Sequence, residues 1–211
     1  FTTCAMASYF LATRHSREIK TWSVIFMFSL SCAVMTKGLV GLAIPLCAIG
    51  AWLIVRRQFT LRPWYLLFVA SAICLIPLAI WAWFLYGELG WEGVHKAMWM
   101  NNFGRFLGAR DSHVRPFYYY FTNFPFLFMP WTLFVPLAVV QFWKGKLGRG
   151  KEDSFLFILA WLIAPLFLLT LSAGKRGIYL LPLYPAAALL VGVILAKVLE
   201  GQDDPGKWYC I

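Results

Sequence analysis

"WYLLFVASAICLIPLAIWAWFLYG", residues 64–87, runs for 24 residues without a charged side chain. About 20 apolar residues carry an α-helix across the hydrocarbon of a bilayer. No water reaches that layer to bond backbone N–H and C=O groups, so only helices or closed barrels can cross it. This run is too long and too uniformly apolar for a barrel strand, whose faces alternate. It is therefore predicted to be a transmembrane helix, and the rest of the chain can be read outward from it.

The same pattern recurs at 22–36, 39–55, 126–143, 155–173 and 178–198, with part of another span at 1–12. Residues 22–36 and 39–55 are short and meet at Lys37-Gly38. They are expected as two spans joined by a tight turn, because each is flanked by basic residues on its far side. Hydrophobic residues make up 61% of the 211, charged residues 13%, and the mean hydropathy is +0.70. A soluble domain is closer to half apolar and a quarter charged, so the excess apolar surface needs lipid. The expected fold class is all-α: one polytopic transmembrane bundle over 1–211, with an interfacial helix at about 91–107 in the long 88–125 segment.

The net charge of +10 falls in short clusters between apolar runs, not along one stripe, so no nucleic-acid partner is expected. "RHSREIK" (14–20), "RRQFTLR" (56–62) and "KGKLGRGK" (144–151) fit the basic bias of cytoplasmic loops. Threading the spans between them puts loops 13–21, 56–63 and 144–154 in the cytoplasm. Lys37, the 88–125 segment and the 174–178 loop then lie outside. The cations on that side, among them Arg105, Lys175 and Arg176, are not topology signals and need another cause. A guanidinium, an ammonium and a tyrosine hydroxyl at the membrane edge suit a phosphate whose tail lies in lipid.

Other chemistries find little support. There is no GxGxxG, Walker A or HExxH pattern, and three histidines do not furnish a complete zinc site. The five cysteines show no CxxC spacing, and Cys4, Cys32, Cys47 and Cys74 lie in apolar runs as small hydrophobes. The outer carboxylates are Glu88, Glu92 and Asp111.

Three segments carry a resemblance: "MNNFGRFLGARDSHVRPFYYYFTNFPFLFMPW" (100–131), "TKGLVGLAIP" (36–45) and "GKRGIYLLPLYPAAALL" (174–190). In this order they resemble GT-C glycosyltransferases that use a polyprenyl-phosphate sugar. That family groups lipid A aminoarabinose transferases with protein O-mannosyltransferase-like enzymes. The resemblance implies a GT-C-like bundle and transfer of a sugar from a polyprenyl-phosphate donor to a lipid, protein or glycan acceptor on the outer face. It implies an inner-membrane setting, with membrane lipids as further partners. By position, Arg105 and Tyr179 match residues that hold the carrier phosphate, and Lys175 matches a lysine at the same helix mouth. His113 matches a loop histidine in contact with substrate or with a metal completed elsewhere. No cofactor is assigned, and room is left for a divalent metal. The family's acidic catalytic base sits in an N-terminal outer loop that matches nothing here. The sequence is accordingly expected to be an internal piece of a longer enzyme and inactive alone. The alternative is a lipid or sugar transporter, built on proline-broken helices. Against it, the spans carry almost no ionisable residue at mid-depth, where transporters keep theirs.

Overall fold

The computed structural model describes residues 1–104, 115–144 and 152–199. All their elements are helical. Helices α1 (Thr2–Arg14), α2 (Ile19–Lys37) and α3 (Leu39–Val55) precede the long α4 (Leu61–Val94). A π-helical segment, His95–Gly104, continues from α4. After it come α5 (Tyr119–Leu127), α6 (Phe134–Trp143), α7 (Glu152–Leu171) and α8 (Tyr184–Leu199). A 3₁₀ segment, Gly177–Leu183, leads into α8.

The helices pack as a row. Helix α1 lies on α2, which also packs against α4 and α3; α3 packs on α7, α7 on α8, and α8 on α6. The surface of this row is apolar: Phe68 is 63% exposed, Phe84 70% and Phe167 61%. Patches of that size are unstable in water and natural in lipid. Among the described residues, four helical stretches are long and apolar enough to cross a membrane: Ile19–Lys37, Leu61–Met100, Glu152–Leu171 and Gly177–Ala196. Leu39–Val55 is a shorter apolar helix.

The expected turn between the second and third apolar runs is a single residue. At Gly38 φ is +64° and ψ is −150°, a region open essentially to glycine, so α2 ends there and α3 folds back against it. Three residues on, a Cβ at Gly41 would collide with the Ala33 carbonyl. The absence of a side chain lets the two backbones approach closely, a common device where lipid offers helices no hydrophobic drive to associate.

Two expectations are modified. The run 126–143 is not one straight helix: Tyr119–Leu127 and Trp131–Trp143 are bent by 110° relative to each other. Pro130 lies at the break; it has no N–H to extend a helix and disfavours helical backbone at Met129 before it. Helix α4 also runs beyond residue 87, with Gly90 (φ +63°) breaking it from inside. Trp81 and Asn102 nevertheless line one cavity, although a straight helix would set them about 30 Å apart. The chain therefore leaves the bundle mouth after Trp81 and returns to it, the course expected of a surface segment over 91–107, of which the part to Gly104 is described.

Candidate functional site

The two ends of the bundle differ in chemistry. At one end the Asp153 carboxylate accepts from Arg14 Nη2 at 2.5 Å and from Arg56 Nε at 2.7 Å. Trp52 Nε1 donates to the same carboxylate at 3.2 Å. The Arg56 guanidinium lies 5.0 Å from the centroid of the Trp52 ring, within cation–π range. Trp52 is itself buried against Tyr9, Phe10 and Phe157. One acidic residue thus ties together the three basic loops that the sequence placed on one side.

At the opposite end is a cavity of about 550 Å³, within the usual range for small-molecule sites. Lys37, Gly38, Trp81, Asn102, Arg176 and Tyr179 are among its walls. These residues come from the three segments that carry the family resemblance, together with α4. Asn102 fixes the joint between them. Its Oδ1 accepts from the Leu39 backbone N–H at 3.0 Å, and its Nδ2 donates to the Met98 carbonyl at 2.7 Å. The first N–H groups of a helix have no intrahelical acceptor, so Asn102 caps α3 from a distant segment.

The 172–179 loop is held from beneath. Lys175 is buried, 5% exposed, and its Nζ donates to the Ser172 carbonyl. Ser172 Oγ donates to the Gly174 carbonyl at 3.2 Å. The Arg176 backbone N–H donates to the Tyr120 hydroxyl at 3.1 Å, which gives the "FYYY" segment a structural task. Further on, Trp161 Nε1 donates to the Pro182 carbonyl at 3.1 Å. The outcome is alternation: Lys175 points into the protein, while Arg176 and Tyr179 line the cavity.

Of the predicted site residues, the structure places Tyr179 on the cavity and Lys175 behind the loop; Arg105 and His113 lie outside the described residues. It adds Lys37, exposed at the end of α2, and Asn102. Lys37 could have been found in sequence, since it stands in "TKGLVG" on the side where its charge was unexplained. Among the described residues no carboxylate lines this cavity. Nor do three His, Cys, Asp or Glu side chains gather there, or elsewhere among the described residues, in a metal-ligating group. Two cations and a phenol hydroxyl around one space can hold an oxyanion and stabilise charge that develops on it.

No protein-family model matches the chain, and no solved structure matches it. Curated proteins do. The undecaprenyl phosphate-alpha-4-amino-4-deoxy-L-arabinose arabinosyl transferase of Erwinia tasmaniensis is 29% identical over 191 residues, 89% of this chain and 33% of its own length. The enzyme of the same name from Edwardsiella ictaluri is 29% identical over 213 residues, 95% of this chain and 36% of its own. That of an Enterobacter species is 30% identical over 194 residues, 89% and 33% respectively. The chain spans about a third of the length of these relatives. Over nearly all of its own length, it is similar to bacterial undecaprenyl phosphate-aminoarabinose arabinosyl transferases.

Proposed function

We propose that this chain forms the carrier-binding part of an inner-membrane glycosyltransferase that works on the periplasmic face. The donor is a sugar on a polyprenyl phosphate, and the acceptor a lipid of the lipid A type. The names of the relatives support a transferase over a transporter. One observation carries the site: Lys37, Arg176 and Tyr179, from two separate family-like segments, share a cavity at the end away from the basic loops. Arg105, three residues beyond Asn102 in sequence, is proposed as a further phosphate ligand.

In the reaction, an acceptor hydroxyl oxygen bonds to the anomeric carbon while the bond from that carbon to the phosphate oxygen breaks. The phosphate leaves with the electron pair, and the acceptor proton passes to a carboxylate. Lys37 and Arg176 supply positive charge where negative charge grows, and the Tyr179 hydroxyl donates to the departing oxygen. The carboxylate base is proposed to come from the part of the enzyme that this chain does not match. Lys175 acts as a positioning residue: anchored on Ser172, it sets the turn that presents Arg176 and Tyr179.

The test is sugar transfer by the full-length protein. Arg176→Ala and Tyr179→Phe should each lower turnover 10-fold or more, since losing a hydrogen bond to a charged group costs about 1.5–3 kcal/mol. Lys175→Ala should weaken folding along with activity, as its buried amine holds a loop. Normal turnover in both Arg176→Ala and Tyr179→Phe would refute the assignment.

A further inference from the structure

A second cavity, of about 590 Å³, opens at the basic end, on the opposite side of the bundle from the proposed carrier site. It lies between α2 and α4, with the end of α1 on its rim. Helical spacing arranges its walls. Lys20, Ser23 and Met27 follow one face of α2, and Arg62, Leu66 and Val69 follow one face of α4. Each face therefore begins with a cation in its first turn and becomes apolar one to two turns deeper.

The cavity is held open by fixed contacts. The Tyr9 hydroxyl donates to the Pro63 carbonyl at 3.0 Å, tying α4 to α1 beside the cavity. Trp64 Nε1 donates to the Gln58 carbonyl at 2.9 Å, and Arg56 Nη1 donates to Gln58 Oε1 at 2.9 Å. Among the described residues no carboxylate lines the cavity. Both ion pairs among the described residues belong to Asp153, and neither Lys20 nor Arg62 takes part in one. Two cations above an apolar slot match one kind of ligand. The ligand has an anionic head and a hydrocarbon tail.

The geometry points to a structural binding site for one anionic phospholipid. Lys20 and Arg62 hold its phosphate, and an acyl chain runs along Met27, Leu66 and Val69. A basic pocket between transmembrane helices holds a lipid head group by the same physics, with each cation contributing at the membrane surface. The charge makes the site selective, because a zwitterionic head group would place a second cation against Lys20 and Arg62. The site is independent of the donor cavity, so it stands or falls separately from the proposed function.

Native mass spectrometry of the full-length protein, titrated with phosphatidylglycerol or phosphatidylcholine, tests the assignment. One phosphatidylglycerol should be retained in preference to phosphatidylcholine. Lys20→Gln and Arg62→Gln should each weaken it about 5-fold, and the double variant about 30-fold. Lys20→Arg with Arg62→Lys should restore binding. Both side chains are exposed, and an unchanged unfolding temperature without lipid confirms that the variants fold. Three results would overturn the site: equal retention of phosphatidylcholine, phosphatidylglycerol binding unchanged in the double variant, or its displacement by millimolar inorganic phosphate, the mark of a small-anion site.

Discussion

At Gly38 backbone geometry and site geometry meet. Its positive φ makes the turn between α2 and α3, and a Cβ there would strike the Asn102 side chain that caps α3. Gly38→Ala should therefore cost roughly 1–3 kcal/mol from the backbone conformation alone, and displace Asn102 as well. Thermal unfolding in detergent should show the loss, and an unchanged midpoint would mean the turn tolerates a side chain. Part of this was legible in sequence: Lys37-Gly38 stood out as a tight turn, and Tyr179 as a cavity residue. What single residues could not reveal was which of two adjacent cations faces inward. Lys175 and Arg176 differ through a local hydrogen bond from the Lys175 amine to the Ser172 carbonyl and a distant one from the Arg176 backbone N–H to the Tyr120 hydroxyl, and neither leaves a periodic trace.

Among the elements, the basic-end junction is the most testable. Asp153, in the first turn of α7, joins α1 and α3 through Arg14 and Arg56. In Asp153→Asn the amide oxygen can still accept from Trp52, so the substitution removes the charge more than the contact. Its cost should be about 1–2 kcal/mol, since the arginines are partly solvated. Raising the salt concentration should narrow the gap between variant and wild type in unfolding temperature; a gap independent of salt would assign the effect to packing. Long apolar runs made α2, α3, α4, α7 and α8 readable from hydropathy and length. The bend between α5 and α6 escaped, because phenylalanine, leucine and proline keep the run 126–143 apolar throughout. A helix over about 91–107 was expected, but its tie to the mouth was not: that depends on Asn102 reaching Leu39, a contact 63 positions away in sequence.

For the whole molecule, the two ends form an axis. Loops containing Arg14, Arg56 and Asp153 share one end, and Lys37, Asn102, Arg176 and Tyr179 share the other. From the basic bias of the first set, we propose that this end faces the cytoplasm. A cysteine placed at Arg149 in the full-length protein should react with an impermeant thiol reagent only after the membrane is opened; reaction from outside would invert the topology. The central claim is that the cavity at the far end holds the phosphate of a polyprenyl carrier, and binding of undecaprenyl phosphate to the full-length protein tests it most directly. Lys37→Ala, Arg176→Ala and Arg105→Ala should each weaken binding about 10- to 150-fold, while Arg110→Ala, outside the proposed ligand set, should change it little. Undiminished binding in both Lys37→Ala and Arg176→Ala would contradict the account.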